Sequence, residues 1–291
     1  MVRKVIIDFD GTLTAEENQA AELQRRSLNT LSQMMSVPLA ELEQAYDETR
    51  KNLLSQPHRY WWEVNGLIAS YCDEGAFILN TTTMQNMLRD NKGYHHKIGN
   101  VFDDPEYDPV IDCINYLFHH HTAEIPPEFR ESTSATLTNL IRDERFLPLI
   151  LTNSLGNKVT RQLSQLDLER EIHVLGDTRQ YDMDPEWQGP LPIYADEPVK
   201  KWIADELHSI DLRRKVYYQA LLEAQSDGST LAVVADTLSL PGALPMQMGI
   251  PFFLLETSYT PDWSIMAVNN HPFGYMLKDL TQLPAKLNRL P

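Results

Sequence analysis

The hydrophobic positions of this chain fall into short continuous runs separated by segments of helical periodicity. A short continuous apolar run is typical of a strand buried on both faces, and such runs occur at 5–7, 146–151, 172–175, 230–235 and 251–255. Helical spacing occurs between them at 128–143, 156–166 and 215–224, and the tail YMLKDLTQLPAKL has the pattern of a short strand and a closing helix. The alternation predicts an α/β fold, a Rossmann-like doubly wound parallel sheet with helices on both faces.

The segment between the first and second of these strands is too long for a simple crossover. Its apolar residues follow helical spacing, which predicts mainly helices at 15–35, 39–56, 61–71, 81–89 and 110–121. The run Thr81-Thr82-Thr83 is predicted to cap the fourth of these. We therefore expect two domains: an α/β core formed by 1–14 and 126–291, and a helical domain formed by 15–125.

Two acids stand at the end of the first predicted strand. Asp8 and Asp10 follow Val5-Ile6-Ile7, and Gly11 then allows the backbone to turn sharply. Alternate residues of a strand point to the same side, so these carboxylates are expected to face one way. Two like charges held close together favour a nearby cation or a shared proton. The same pattern also occurs in ordinary acidic turns, since Asp and Gly are common turn residues.

Charge and cysteine content narrow the possible partners. The formal net charge of −16 is expected to repel nucleic acid and anionic lipid, so neither is predicted as a partner. A phosphate site on so acidic a protein needs a local cation, which points to Mg²⁺. The sequence has no apolar run of membrane-spanning length, and it starts without a signal-peptide pattern. Cys72 and Cys113 are predicted to be free buried thiols in a reducing cytoplasm. A cytoplasmic location follows as an expectation.

The segment DFDGTLT (residues 8–14) directly after a hydrophobic strand resembles the first motif of the haloacid dehalogenase (HAD) superfamily. The resemblance implies that Asp8 is a nucleophile that forms an aspartyl-phosphate, and that Asp10 is the general acid and base. It also implies that 15–125 is a cap domain over the active site. Dehalogenases of this superfamily lack an acid at the position of Asp10, so a phosphatase is the preferred interpretation and a phosphomutase stays open.

LILTNS (residues 149–154) is similar to the second motif of the superfamily, a hydrophobic strand that ends in Thr or Ser. The resemblance implies that Thr152 donates its hydroxyl to a phosphoryl oxygen, and that the following helix start offers main-chain N–H groups. Thr-Asn-Ser after a strand is otherwise a common helix cap. The substrate contacts expected from the first two motifs are Gly11, Thr12, Asn153 and Ser154.

The third motif of the superfamily is a cation before the helix that precedes the last acidic strand. Here that position holds Leu212-Arg213-Arg214-Lys215. We predict Arg214 or Lys215 for this role, and the sequence does not choose between them. A basic helix entry on the surface is the competing interpretation, and Lys158 and Lys200 are secondary candidates.

The fourth motif is half present in AVVADTLSLPGALPMQMG (residues 232–249). Asp236 matches the first acid of the motif, whereas Ala235 replaces its usual glycine. Leu240 or Pro241 stands where a second acid is expected, and neither side chain can bind a metal. The resemblance therefore implies Mg²⁺ held by Asp8, the main-chain carbonyl of Asp10, Asp236 and water.

The prediction is an enzyme, a Mg²⁺-dependent phosphohydrolase acting on a small phosphorylated metabolite. The alternative is a degenerate member of the superfamily that kept the fold for binding or regulation. His119-His120-His121 cannot all face one metal from a helix, because neighbouring side chains point about 100° apart. This histidine run is predicted to be a solvated helix end, and the oligomeric state is left open.

Overall fold

In the computed structural model, the described residues are 2–106 and 108–290. The strands are β1 (Arg3–Ile7), β2 (Trp61–Val64), β3 (Leu67–Tyr71), β4 (Phe146–Leu151), β5 (His173–Leu175), β6 (Lys201–Ile203), β7 (Ser209–Asp211), β8 (Thr230–Ala235), β9 (Phe252–Leu255) and β10 (Gly274–Leu277). The α-helices are α1 (Glu16–Met35), α2 (Leu39–Ser55), α3 (Ala76–Asp90), α4 (Lys92–Gly99), α5 (Pro109–Thr122), α6 (Thr133–Arg142), α7 (Gly156–Leu163), α8 (Lys215–Gln225), α9 (Ala243–Gln247), α10 (Asp262–Asn269) and α11 (Leu283–Leu287).

Six of the strands within 2–106 and 108–290 form one sheet in the order β10-β9-β8-β1-β4-β5, and all of its neighbouring pairs are parallel. Strand β1 lies inside the sheet, between β8 and β4. Its residues Val5 to Ile7 are almost completely buried, as expected of an all-apolar strand that is covered on both faces. Ile7 pairs with Ile150 on one side and with Val234 on the other. This register brings the carboxyl ends of β1, β4 and β8 to the same edge of the sheet. The predicted α/β fold class is confirmed.

The chain divides into two units. The first comprises Met1–Ala15, Glu63–Ser70 and Phe129–Pro291, and the second comprises Glu16–Trp62 and Tyr71–Glu128. The first unit contains the sheet and its apolar core, and the core of the second is formed by helices α1 to α5. That the segment 15–125 acts as a cap stays a prediction. In the part of the chain that is described, no helix combines the length and the apolar composition needed to cross a bilayer.

Two predictions for the inserted segment are wrong. Residues 61–71 form the hairpin β2–β3 and not a helix, because Asn65 and Gly66 take up the left-handed conformation of a tight hairpin turn, with φ of 51° and 74°. Helix α3 starts at Ala76, so Thr82 and Thr83 are buried inside it and cap nothing. Helix α4 in the polar stretch, the hairpin β6–β7 and helix α10 were not predicted.

Candidate active site

The turn after β1 and the end of β8 contact each other at the carboxyl edge of the sheet. The main-chain N–H of Asp8 donates to the carbonyl of Val234 at 3.0 Å. Gly11 has φ of 76°, and a Cβ added there would lie 2.2 Å from Oδ2 of Asp236. The turn therefore needs glycine for two reasons, the backbone conformation and the close approach of a carboxylate.

Asp236 is held in this position by Thr12, a residue of the same turn. The Thr12 hydroxyl donates to Oδ1 of Asp236 at 3.0 Å and accepts the main-chain N–H of Asp236, also at 3.0 Å. Thr12 is completely buried and Asp236 is 4% exposed. That Thr12 contacts substrate stays a prediction; its hydroxyl is bonded to Asp236, the acid that follows β8.

A chain of hydrogen bonds connects the other acid of the first motif to helix α7. The Ser154 hydroxyl donates to Oδ2 of Asp10 at 2.7 Å, and the Lys158 ammonium donates to the Ser154 hydroxyl at 3.3 Å. Ser154 lies just after β4, and Lys158 is in the first turn of α7. The ammonium of Lys158 is therefore linked to the Asp10 carboxylate through two hydrogen bonds, with the Ser154 hydroxyl between them. The sequence analysis gave Lys158 only as a secondary candidate for the third-motif cation. The sequence signal for it was its place in the first turn of the helix that follows the second motif, four residues after Ser154.

Thr152 and Asn153 hold the loop that follows β4. The buried Thr152 hydroxyl accepts the main-chain N–H of Ser154 at 3.2 Å, which leaves its own hydrogen available to an acceptor. Oδ1 of Asn153 accepts the main-chain N–H of Gln180 at 2.7 Å, so this side chain ties the loop to the segment after β5.

The two residues predicted as the third-motif cation differ in their surroundings. Arg214 is 1% exposed and donates to the carbonyls of Gln180, at 3.2 Å, and Ala69. The side chain of Lys215 is 51% exposed, its ammonium lies 3.9 Å from Oδ2 of Asp184, and it lines a pocket of about 280 Å³. Neither assignment is tested by these contacts.

Tyr217, a residue of α8 that the sequence analysis missed, lies close to the charges of this site. Its ring is completely buried, and its hydroxyl has no hydrogen-bond partner among the described residues. Burial raises the pKa of this phenol strongly, the negative charge of Asp8 raises it further, and the positive charge of Arg214 lowers it.

The donor set at the sheet edge suits a hard cation such as Mg²⁺, which prefers oxygen ligands and keeps several waters. Asp236 seated against Gly11 brings a carboxylate from the end of β8 to the turn that carries Asp8 and Asp10. Leu240 and Pro241 are buried in the turn Leu238–Gly242 and offer no side-chain ligand.

Among the described residues, the three carboxylates of Asp8, Asp10 and Asp236 do not form a group with all ligand atoms within 4.8 Å. The ligand set implied by the resemblance uses the main-chain carbonyl of Asp10 and so needs only two of these carboxylates.

No protein-family model matches this chain, and no curated protein matches it by sequence. Solved structures do match its fold over nearly the whole chain. The Bacillus subtilis protein YfnB, described as a HAD-hydrolase bound to magnesium, aligns with a TM-score of 0.53 and 13% identity over 99% of both chains. The haloacid dehalogenase-like family protein SP0104 from Streptococcus pneumoniae aligns with a TM-score of 0.51 and 10% identity over 98% of both chains.

A predicted phosphoglycolate phosphatase from Haemophilus somnus aligns with a TM-score of 0.50 and 13% identity, over 99% of this chain and 98% of that one. At sequence identities this low, the three structural alignments establish a shared fold and nothing more specific. The resemblance seen in the motifs is thus confirmed at the level of the fold, which is HAD-like.

Proposed function

We propose that this protein is a Mg²⁺-dependent phosphohydrolase that acts on a small phosphorylated metabolite. The observation that supports it best is the position of Asp236. This acid, 224 residues distant from Thr12 in sequence, is hydrogen-bonded to the same turn that carries Asp8 and Asp10. A fold alone needs none of these three acids at the sheet edge. Among the solved structures with this fold, YfnB is described as bound to magnesium, and the Haemophilus somnus protein is described as a predicted phosphoglycolate phosphatase.

In the proposed reaction, a carboxylate oxygen of Asp8 attacks phosphorus and forms an acyl-phosphate while the ester P–O bond breaks. Asp10, oriented by the Ser154 hydroxyl, gives a proton to the leaving alkoxide. Asp10 then takes a proton from the water that attacks phosphorus, which releases inorganic phosphate and restores Asp8. Bound Mg²⁺ supplies charge neutralisation for the phosphoryl oxygens.

The remaining side chains of the site have positioning and electrostatic roles in this proposal. Thr152 offers its hydroxyl hydrogen to a phosphoryl oxygen, because the bond that it makes to Ser154 uses only a lone pair. Lys158 and Arg214 are the buried or half-buried cations that balance the acids, and Lys215 faces Asp184 instead.

The proposed partner is therefore a small phosphate ester, and neither nucleic acid nor a membrane surface is proposed, since the net charge of −16 disfavours both. A second candidate function is that of a degenerate protein that binds a phosphorylated ligand without turnover. Leu240 and Pro241, in place of the second acid of the fourth motif, favour it.

The test is hydrolysis of p-nitrophenyl phosphate and a panel of phosphate esters, with and without Mg²⁺, by the wild type and Asp8→Asn. Loss of the nucleophile is expected to lower kcat by at least about 1000-fold. Asp196→Asn is the matched control, because Asp196 is an exposed loop residue, and its rate is expected to equal that of the wild type. Binding of the acyl-phosphate mimic beryllium fluoride without turnover of any ester would favour the binding protein. Absence of both turnover and mimic binding overturns the enzymatic proposal.

A further inference from the structure

A second candidate metal site lies in the helical unit, at the end of α5. His120, His121 and Glu124 each offer one ligand atom, and these atoms all lie within 4.8 Å of one another. Three donors spread evenly around one zinc-type ion at 2.0–2.2 Å lie about 3.3–3.8 Å apart. The three ligand atoms are therefore within about 1.5 Å of the spacing that one ion requires, and two of the side chains, His120 and Glu124, are exposed.

The group combines two histidines of the last turn of α5 with a glutamate just beyond the end of that helix. Helix α5 ends at Thr122, and Glu124 lies just beyond it, with its N–H donating to the carbonyl of His121 at 3.1 Å. The rings of His120 and His121 have centroids 4.9 Å apart, and the ring of His120 stacks on Tyr116 at 5.3 Å. Glu124 follows His120 by four residues and His121 by three, and the turn after α5 places its carboxylate near both rings.

His121 provides an independent observation that points to a ligand. It is 6% exposed, and its Nδ1 has no hydrogen-bond partner among the described residues. Its Nε2 lies 3.0 Å from the Thr30 hydroxyl. With the ring hydrogen on Nε2 donated to Thr30, the lone pair of Nδ1 is left for a metal. Metal-bound histidines usually show this arrangement, in which the second nitrogen donates to an outer partner.

We propose that His120, His121 and Glu124 bind one divalent transition-metal ion of the zinc class. Two imidazoles and one carboxylate suit Zn²⁺ and similar ions better than Mg²⁺, which prefers oxygen. Arg26, whose Nη1 lies 2.9 Å from Oε2 of Glu124, competes for the carboxylate. This site is independent of the chemistry proposed at the sheet edge.

The test is calorimetric titration of the full chain, without a polyhistidine tag, with Zn²⁺ in excess Mg²⁺ so that the sheet-edge carboxylates are occupied. One Zn²⁺ per chain is expected to bind with a micromolar Kd. Thr30→Val removes the outer partner of His121 and is expected to weaken binding roughly 10- to 100-fold. His120→Ala and Glu124→Gln remove ligands and are expected to weaken it at least as much.

His119→Ala is the matched control, because His119 is an exposed neighbour outside the group. Its Zn²⁺ affinity is expected to equal that of the wild type. His120 and Glu124 are exposed, so their variants should melt like the wild type without metal, which separates ligand loss from misfolding. Binding weaker than millimolar, or an equal loss of affinity in His119→Ala and His120→Ala, overturns the proposal.

Discussion

Thr12 and Asp236, 224 residues apart in sequence, hold each other through two hydrogen bonds of 3.0 Å that share one hydroxyl. That hydroxyl donates to the carboxylate and accepts the main-chain N–H of the same aspartate. Both residues are buried, so the pair fixes the direction in which Asp236 faces at the sheet edge.

Thr12→Val removes the hydroxyl and keeps the shape of the side chain. Because a buried hydrogen bond to a charged group contributes about 2 kcal/mol, we expect the free energy of unfolding in urea to fall by about that amount. Thr12→Ser keeps the hydroxyl and should cost about 1 kcal/mol or less, for the lost methyl group. Equal losses in the two variants would show that the hydroxyl does not hold Asp236.

Gly11→Ala and Gly66→Ala separate steric overlap from backbone strain. Both glycines have positive φ, 76° and 74°, so each alanine is expected to cost about 1–2 kcal/mol of strain. Only at Gly11 does the new Cβ meet another group, the carboxylate of Asp236. Urea unfolding should therefore show a further loss of about 1–3 kcal/mol for Gly11→Ala. Equal stability of the two variants would contradict the close approach of Asp236.

Lys158→Met and Lys215→Met compare two lysines in the first turns of helices. Lys158 contacts Ser154, which bonds Asp10, whereas Lys215 faces Asp184 in solvent. If the protein hydrolyses phosphate esters, Lys158→Met is expected to lower kcat about 100-fold, as loss of a charge-stabilising donor does. Lys215→Met should leave kcat near the wild-type value in the same assay. The reverse pattern would assign the cation to Lys215.

Tyr217→Phe is expected to stabilise the protein. A buried polar group without a partner costs about 1–3 kcal/mol, and the Tyr217 hydroxyl is such a group within the described residues. Tyr46→Phe is the matched control, because the equally buried Tyr46 hydroxyl donates to Oδ1 of Asn80 at 2.6 Å. Chemical unfolding should show a gain of about 1 kcal/mol for the first variant and a loss of similar size for the second. A loss in both would mean that the Tyr217 hydroxyl has a partner in solution.

Stability is expected to fall at alkaline pH because of two thiols. Cys72 and Cys113 are free and buried, and burial raises the pKa of each from 9.0 to about 12. The unfolded chain releases these protons first, so their contribution is complete below pH 9 and is lost between pH 9 and 12. The melting temperature of the wild type should therefore fall more steeply between pH 9 and 12 than that of the double variant Cys72→Ala/Cys113→Ala. Parallel slopes would contradict the pKa shifts.

Local pattern sufficed for the elements with a clear hydrophobic run or a clear helical period. The apolar runs at β1, β4 and β8 and the amphipathic helices α1 and α2 formed as predicted. The hairpin β2–β3 was missed although Asn65-Gly66 is a strong hairpin signal, because the aromatic residues around it also fit a helical pattern. Its misassignment shows that turn chemistry outweighs periodicity in short segments.

The sequence by itself determined that Asp8, Asp10, Thr152 and Asp236 each follow a buried strand, since an apolar run and the residue that ends it are local properties of the chain. Only the tertiary structure decided which distant groups meet there: Asp236 with Thr12, Ser154 with Asp10, and Lys158 with Ser154. The physical reason is that parallel strands are joined through long connections. Their register, and hence the contacts between their ends, depends on packing across the whole sheet.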